Sequence, residues 1–266
     1  KPGSEEAIKK VVQENGMIAK KSECLDLPPL LKKIVEVEMG AEQKRLYNSM
    51  KKDFISSFDM KNSSDEIVST KYSVADLAIT KALRLNQIVS GHIKLESSEG
   101  DDGLVVTLKD NPRKKALKEL LVDLAPNHKV IVWAVFKANY DDIKEVCGDL
   151  KLGFAELTGQ TKDKQHMIDI FQNDKDIRVL IGNPSSGGIG VNLVAASYMI
   201  YYSRGFSLEH DIQSEARNYR GGSEQHESIT RIDLVCKGTI DELVLQALSD
   251  KQELSDKILR QNLNNI

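Results

Sequence analysis

The sequence has few of the residues that build covalently linked or metal-linked frameworks. Only three of its 266 residues are cysteine, Cys24, Cys147 and Cys236, and no two of them form a CxxC pair. This spacing argues against a disulfide scaffold and against a zinc site, and we predict no metal site of the chain's own. Free, widely separated cysteines fit a reducing intracellular compartment.

Long apolar runs and a signal peptide are also missing. No stretch approaches the roughly 20 apolar residues that a membrane-spanning helix needs. The opening segment, KPGSEEAIKK, lacks the apolar core of a secretory signal. Because the chain does not begin with Met, we expect it to be a fragment of a longer protein.

An excess of charge of either sign is absent as well. The chain has 37 Lys and Arg against 40 Asp and Glu, a formal net charge of -3. A strongly basic nucleic-acid-binding body is therefore excluded, and any such contact must come from local patches. Basic runs such as Arg113–Lys115 are expected to be mostly solvated. The single tryptophan, Trp133, stands in an apolar run and is predicted to be core.

The second half of the chain alternates apolar runs with helical patterns. VIVWAVF (130–136) is continuously apolar, which is typical of a strand buried on both faces of a parallel sheet. Further predicted strands are IRVLIG (177–182), YMIYY (198–202) and ITRIDLV (229–235). Helices are predicted between them at 113–125, 138–150, 164–172 and 208–219. This alternation predicts an α/β fold with a mostly parallel sheet.

The flanking regions differ from this central part. Helical spacing at 41–58 and 74–89 and a short alternating strand, IVEVEM (34–39), precede it. The stretch 96–112, rich in acidic residues, Gly and Pro, predicts an exposed connection. Thr239 followed by Glu242 forms a capping box and predicts the start of a C-terminal helix. We therefore divide the chain into residues 1–111, 112–238 and 239–266.

A glycine-rich segment, NPSSGGIGVNL (183–193), follows the predicted strand 177–182. Small residues let backbone N–H groups approach a phosphate closely, although a tight strand-to-helix turn would need the same composition. Gly188 and Gly190 do not complete a G-x-G-x-x-G pattern, and no G-x-x-x-x-G-K-[ST] occurs anywhere. A metal-holding acidic strand end of the Asp-Glu-x-His type is also missing.

Two arginines stand out in QSEARNYRGGS (213–223). Gln213, Arg217 and Arg220 are spaced i, i+4 and i+7, which predicts that they share one helix face ended by Gly221 and Gly222. Two guanidinium groups on one stripe repel each other unless an anion lies between them, and arginine bonds phosphate oxygens in pairs. A solvated surface pair is the alternative interpretation.

The ordered set of motifs resembles the second RecA-like lobe of the Swi/Snf-type ATPases, which are helicase-like motors of superfamily two. The family's Ser-Thr-x-Ala-Gly-Gly-x-Gly-x-Asn-Leu segment is similar to Asn183–Leu193, and its Gln-x-x-x-Arg-x-x-Arg helix to Gln213–Arg220. Its Gly-Thr-Ile-Asp-Glu run is similar to Gly238–Glu242. LDLPPLLKKIVEVEM (25–39) resembles the segment that leaves the first lobe. The resemblance implies a RecA-like three-layer domain preceded by a largely helical, family-specific insertion.

The resemblance also implies roles for individual residues. Arg220 is expected to be an arginine finger that reaches the γ-phosphate of ATP, with Arg217 supporting it. ATP-binding or inter-lobe positions are implied at Gln213, Gly188, Gly190 and Asn192. Hydrogen bonds to DNA backbone phosphates are implied for Ser185, Ser186, Thr158 and Thr161. ATP and Mg²⁺ would be gripped mainly by a first lobe that this chain lacks, so the chain alone is expected to be inactive.

Several positions depart from the family pattern. The chain has GFS (205–207) where the family often has Trp-Asn-Pro, Ala216 where an acidic residue is usual, and Gly-Gly-Ser after Arg220. These departures suggest a divergent bacterial or viral branch, and with it a cytoplasmic location.

The resulting expectation is the second motor lobe of an ATP-dependent double-stranded DNA translocase. Its partners would be the N-terminal RecA-like lobe and duplex DNA, contacted through its backbone. Three alternatives stay open: a strand-separating helicase, a non-catalytic module that binds DNA or protein, and an α/β enzyme with its own nucleotide site at Gly187–Gly190.

Overall fold

A six-stranded, fully parallel sheet forms the centre of the protein. The computed structural model describes residues 25–62, 74–94, 104–186 and 191–263. The strands are β1 (Leu30–Val37), β2 (His92–Lys94), β3 (Val105–Thr107), β4 (Lys129–Trp133), β5 (Gly153–Leu157), β6 (Ile177–Gly182), β7 (Ala196–Tyr201) and β8 (Ile229–Cys236). The main sheet has the order β1-β8-β7-β4-β6-β5, and β2 and β3 pair separately as an antiparallel ladder.

Helices cover both faces of the sheet, as a parallel sheet requires. They are α1 (Ala41–Asn62), α2 (Val74–Val89), α3 (Pro112–Leu124), α4 (Lys137–Asp149), α5 (Lys164–Asn173), α6 (Leu208–Glu215) and α7 (Ile240–Leu263). Local caps fix several helix starts. Asn111 accepts a hydrogen bond from the Lys114 N–H ahead of α3, and Asp163 accepts one from His166 ahead of α5. Within the described ranges, no helix combines the length and apolar character needed to cross a bilayer.

The core is divided into two layers by the central strand β4. Val130 and Val132 point into a layer shared with α1 to α4 and α7, whereas Ile131 and Trp133 point into a layer shared with α5. Trp133 is 1% exposed, which confirms that it is a core residue. It lies against Gly182, where a Cβ atom would come within 2.5 Å of the indole ring. Side-chain alternation along one strand therefore builds both layers.

Most of the predicted elements are confirmed within a few residues. The predicted bounds of β6 and α2 agree with the structure, and α7 starts at its Thr239 cap. The Thr239 hydroxyl accepts the Asp241 N–H at 3.3 Å. In a full capping box it would accept the N–H of Glu242, one residue later. Strand β5 was not predicted. The ladder of β2 and β3 places a short strand inside the stretch 96–112, which was expected to be entirely loop.

Strand β1 begins four residues earlier than predicted and belongs to the main sheet. It pairs with β8 from Leu30↔Ile229 to Val37↔Cys236, and the Ile229 N–H bonds the Pro29 carbonyl at 3.0 Å. Residues before position 112 thus supply one of the two edge strands of the central sheet. The division into 1–111, 112–238 and 239–266 stays a prediction, but the sheet itself extends across its first boundary.

The expectation that Arg113 is solvated was wrong. Its side chain is 1% exposed and bonds both the Asp241 carboxylate and the Tyr202 carbonyl. Asp241 also accepts the Cys236 N–H at 2.8 Å. A buried charge is stable only when it is paired and hydrogen-bonded. Arg113 therefore ties the start of α3 to the start of α7 and to the end of β7.

Candidate functional site

The predicted serine and threonine site residues lie at the carboxyl edge of the sheet, where the loops after β5 and β6 emerge, whereas Asn192 and the arginine pair lie beside the start of β7, at the opposite edge. Gly182 at the end of β6 is in register with Trp133 of β4 and with Leu157 of β5. The Asn183 N–H extends this pairing by bonding the Leu157 carbonyl at 3.1 Å. In open parallel sheets this edge is where ligands bind.

The loop after β6 is organised by Asn183. Its amide donates to the Tyr140 hydroxyl at 2.7 Å, and its side-chain oxygen accepts the Ser185 N–H at 2.9 Å and the Ser185 hydroxyl at 2.7 Å. Ser185 is exposed and Ser186 is half-buried. Residues 187–190 lie outside the described part of the chain, so the predictions for Gly188 and Gly190 concern positions whose geometry is not described.

The loop after β5 is a compact turn built by two threonines. The Thr161 hydroxyl accepts the Thr158 N–H at 3.0 Å and donates to the Glu156 carbonyl at 2.9 Å. Thr158 is fully buried, and its hydroxyl donates to the Glu156 carboxylate at 2.8 Å. Thr161 is half-buried and lies nearer the surface. In this conformation the Thr158 side chain shapes the turn and offers no exposed surface to a phosphate.

Lys164 was missed by the sequence reasoning. It is exposed at the start of α5, and its ammonium group donates to the Ser186 carbonyl at 2.9 Å. The serine loop after β6 therefore has a cation beside it. Lys164 comes three residues after Thr161, and both follow strand β5. This closeness in the sequence could have indicated that Lys164 lies near the same edge of the sheet.

Asn192 and the arginine pair belong to two segments that are joined by hydrogen bonds. The Leu193 N–H donates to the Arg217 carbonyl at 2.9 Å, and the Asn218 amide donates to the Ala196 carbonyl at 3.1 Å. Asn192 is exposed, and its side-chain oxygen accepts the Val194 N–H at 3.2 Å. The structure thus brings the segment after the glycines and the arginine segment together.

The predicted helix at 208–219 ends earlier than expected, at Glu215. Arg217 and Arg220 consequently lie in the turns that follow α6 and not on a continuous helix face. The reason is tertiary: the Arg217 carbonyl bonds Leu193 and so is directed away from the i+4 N–H that would continue the helix. Gly222, at φ +101°, then makes a left-handed turn that Gly adopts without strain.

The two arginines differ in exposure but lie close together. Arg217 is 7% exposed, whereas Arg220 is half-buried and donates to the Val191 carbonyl at 3.3 Å. Burial, and then the positive charge of Arg220, lower the pKa of the Arg217 guanidinium. Two cations placed close together in a partly desolvated turn form a site that favours an anion.

Gln213 does not share this location. Its side chain is exposed on α6 and donates to Glu209, one turn earlier on the same helix, at 2.9 Å. The predicted common face of Gln213, Arg217 and Arg220 is therefore not formed, because α6 ends between the first and second of them. The role of Gln213 in nucleotide binding stays a prediction.

An ion-pair network beneath α6 was also missed. Arg231 of β8 bonds Glu215 at 2.6 Å and Asp211 at 3.2 Å, both on α6, and Arg204 after β7 bonds Asp211 at 2.7 Å. Asp233 receives both arginines. The i, i+4 acids on α6 and the i, i+2 Arg and Asp on β8 were visible in the sequence, but their pairing across elements was not.

A cleft of about 230 Å³ opens at the carboxyl edge of the sheet, between the loops after β6 and β7. Asn183 and Ser185 line one side, and Arg204, Phe206 and His210 line the other. Among the residues that the structure describes, no group of three His, Cys, Asp or Glu side chains is placed to hold a metal ion.

Comparison with known proteins identifies the domain. Residues 112–222 match the helicase conserved C-terminal domain. The matched range ends two residues after Arg220 and includes the glycine-rich segment.

Curated relatives are ATP-dependent helicases and chromatin-remodeling ATPases by name. The chain is 34% identical over 147 residues to the ATP-dependent helicase FUN30 of Saccharomyces cerevisiae, covering 54% of this chain and 13% of that protein. It is 31% identical over 153 residues to the chromatin-remodeling ATPase INO80 of Homo sapiens, covering 56% of this chain and 10% of that protein. The chain thus spans only a small part of the relatives that it matches.

Solved structures share the fold. The C-terminal part of the Fun30 ATPase domain superposes with a TM-score of 0.64 at 22% identity, over 87% of this chain and 97% of that one. The Sulfolobus solfataricus SWI2/SNF2 ATPase core in complex with dsDNA gives 0.62 at 20% identity, over 94% of this chain and 50% of that one. The six-stranded parallel sheet with flanking helices is therefore the RecA-like fold of these helicase C-terminal lobes, which confirms the predicted fold class.

The expected cytoplasmic location was wrong. FUN30 and INO80 are proteins of eukaryotes, and INO80 is named for chromatin, which points to the nucleus. These comparisons also give no support to a bacterial or viral branch. The domain match over residues 112–222, the relatives and the sheet thus make this chain similar to the helicase C-terminal lobe of Swi/Snf-type ATPases.

Proposed function

We propose that the chain is the second motor lobe of an ATP-dependent double-stranded DNA translocase, and that Arg220 and Arg217 complete its ATP site. The observation that carries this proposal is the turn at 216–223, which holds both arginines and which we call the arginine turn. A buried Arg217 and a half-buried Arg220 follow α6 beside the start of β7, hydrogen-bonded to the segment after the glycines.

The arginine turn fits the phosphates of ATP. Phosphoryl transfer needs positive charge at the oxygens on which negative charge develops, and an arginine supplied to that position is worth about 10³–10⁵ in rate in nucleotide hydrolases. Arg220 keeps part of its side chain exposed and so can reach outward, whereas Arg217 is held in the turn. In this proposal Arg220 is the finger and Arg217 stabilises it and the adjoining phosphate.

The remaining parts of the nucleotide site would come from the first lobe. That lobe would hold the triphosphate and Mg²⁺, and this chain would close over them with its arginines. Relatives named ATP-dependent helicases and chromatin-remodeling ATPases support the use of ATP by the whole protein. Closing on ATP and opening after hydrolysis is the hinge motion expected of such paired lobes.

The DNA-contacting surface would be formed by the loops after β5 and β6. Ser185 is exposed, Ser186 is half-buried, and Lys164 places its ammonium group within 2.9 Å of the Ser186 carbonyl. Hydroxyl and ammonium donors bind backbone phosphates without reading sequence. The Sulfolobus solfataricus relative was solved with dsDNA, which supports duplex DNA as the partner. Thr161 stays a candidate contact, and Thr158 would act through the shape of its turn.

Coupling between the two surfaces would pass through the segment 183–196. It begins at the serine loop, continues through the proposed coupling residues Gly188 and Gly190, and reaches Asn192 and the backbone bonds to Arg217. A movement of the arginine turn on nucleotide closure would therefore be transmitted along a continuous backbone to the DNA-contacting loop.

A nucleotide titration of the chain alone tests the division of labour. The proposal predicts neither tight ATP binding nor measurable ATP hydrolysis, with or without duplex DNA, because the phosphate-gripping elements belong to the first lobe. DNA-stimulated turnover by the pure chain, or tight nucleotide binding to it, would favour a self-contained nucleotide site and overturn the half-motor proposal.

A further inference from the structure

We propose that Arg231 is a positioning residue that holds α6, and through α6 the arginine turn, in the geometry that ATP hydrolysis requires. This inference rests on the proposed function, because it assigns to Arg231 an effect exerted through Arg217 and Arg220. Arg231 itself would contact neither nucleotide nor DNA.

Arg231 holds α6 at two successive turns of the helix. From its place on β8 its guanidinium reaches Asp211 at 3.2 Å and Glu215 at 2.6 Å, which are spaced i, i+4 on one face of α6. Its Nε atom bonds Asp233 on the same strand at 3.3 Å. A planar guanidinium with five donors can hold three carboxylates in fixed directions, which a lysine cannot do.

Tyr201 fixes the same face of α6 from β7. Its hydroxyl lies 2.7 Å from the Ser214 hydroxyl, and its ring lies beneath the guanidinium groups of Arg204 and Arg231 at 4.0 and 4.7 Å. Ser214 is fully buried. The contacts of Arg231 and Tyr201 therefore hold α6 at Asp211, Ser214 and Glu215. Together they fix the rotation of α6 and its position along its own axis.

The network is balanced in charge only when Arg231 is present. Three carboxylates, Asp211, Glu215 and Asp233, face Arg204, Arg231 and the exposed Lys32, which lies 3.2 Å from Glu215. Burial alone would raise the pKa of Glu215, but the charges of Arg231 and Lys32 outweigh it and hold that pKa below its usual range. Without Arg231 the acids of α6 would repel Asp233, and the helix would lose both of its ion pairs to β8.

The arginine turn has little freedom relative to α6. Arg217 follows the last residue of the helix by two positions, and its N–H bonds the Ser214 carbonyl at 3.2 Å. The Tyr219 N–H bonds the Glu215 carbonyl at 3.1 Å. The carbonyls of Ser214 and Glu215, the residues held by Tyr201 and Arg231, thus accept the backbone hydrogen bonds that orient the arginine turn. A shift of α6 would therefore displace Arg217 and Arg220 with it.

A double-mutant cycle in the full-length, DNA-stimulated protein tests the inference. Arg231→Met is expected to lower kcat for ATP hydrolysis by about 10- to 100-fold and to change KM for ATP by less than about twofold, since misplacing a group that acts in the transition state by about 1 Å has this effect. Arg231→Lys, which keeps the charge but not the fork, is expected to fall between Met and wild type. Lys32→Met, the matched control at the edge of the network, is expected to stay within about twofold of wild type.

The second arm of the cycle uses Arg220→Ala as background. If Arg231 acts through the arginine turn, adding Arg231→Met to Arg220→Ala lowers the residual turnover by less than about twofold. An equal fold-loss in both backgrounds, or a rise in KM with kcat unchanged, would show that the network only supports the fold and would overturn the inference alone. Full activity of Arg220→Ala would instead overturn the proposed function.

Hydrogen exchange gives a readout that does not depend on activity. Arg231→Met is expected to speed amide exchange in the arginine turn (216–223) and its partner segment (191–196), with β6 unchanged. Should Arg231→Met fail to fold, Arg231→Lys and Glu215→Gln carry the same cycle. Unchanged exchange in both segments in a variant that has lost turnover would contradict positioning.

Discussion

Asp241→Asn is expected to destabilise the protein strongly although it removes only one charge. The side chain of Arg113 is 1% exposed and its ionic partner is Asp241. Asn can still accept the Cys236 N–H, so the change mainly leaves a buried guanidinium without its counter-charge. Breaking a buried ion pair by removing one partner costs about 3–5 kcal/mol. At about 2–4 °C per kcal/mol for a chain of this size, Tm should fall by roughly 6–20 °C.

The assay is thermal unfolding followed by circular dichroism, with Asp149→Asn as the matched control. Asp149 pairs with Lys118 of the same helix α3 that carries Arg113, but both partners of that pair are exposed. The control is therefore expected to leave Tm unchanged. The double variant Arg113→Met with Asp241→Asn should recover part of the loss, because it removes the unpaired charge. A Tm within about 2 °C of wild type for Asp241→Asn would refute the argument that this pair sustains the junction of α3 and α7.

Two further predictions concern the core and its titration. Gly182→Ala places a Cβ atom 2.5 Å from the Trp133 ring and should cost about 1–3 kcal/mol in urea unfolding, with a changed tryptophan near-ultraviolet dichroism. Gly148→Ala, on the exposed side of α4 with no atom within 4 Å, should instead stabilise by about 0.5–1 kcal/mol, and equal effects of the two would contradict the packing argument. Burial raises the pKa of Asp142 to about 6, so the folded state keeps a proton that the unfolded chain releases above about pH 4. That contribution to stability is lost as the pH rises from about 4 to 6. The free energy of unfolding of Asp142→Asn should therefore exceed that of wild type by about 3 kcal/mol at pH 7.5 and match it near pH 4, whereas a pH-independent difference would refute the assignment.

The parts of the fold that the sequence predicted are those whose signal is local. Strand β4 lies largely within a continuous apolar run because it is central and buried on both faces, and α2 has an uninterrupted helical period. Strand β5, GFAEL, has no such run since it lies at the edge of the sheet and its Glu156 pairs with Lys144 at 2.6 Å. An edge strand mixes apolar residues that pack with polar residues that face solvent, so it lacks a continuous apolar run. Over only five residues this mixture does not stand out in the sequence.

The site was predictable in its composition but not in its geometry. The glycine-rich segment and the arginine pair stand out in the sequence, and their order in the chain carries the family resemblance. The end of α6 at Glu215 could not be read from periodicity, because it depends on a bond between Leu193 and the Arg217 carbonyl. The partner acid of Arg113 and two of the three partner acids of Arg231 lie on other elements, so no local pattern shows that these two charges are buried.

The most direct test of the central claim is the rate of ATP hydrolysis per DNA-bound molecule for Arg220→Ala in the full-length protein. Arg178→Ala is the matched control, since Arg178 is also half-buried but lies on β6, which β4 separates from β7, and it bonds the Pro126 carbonyl at 2.6 Å. If Arg220 supplies charge to the transferring phosphate, its loss should lower kcat by about 10³-fold or more, with duplex DNA affinity held within a few fold and Arg178→Ala close to wild type. A loss of DNA affinity with the rate per bound molecule unchanged would show that Arg220 contacts DNA and would contradict its role as the finger.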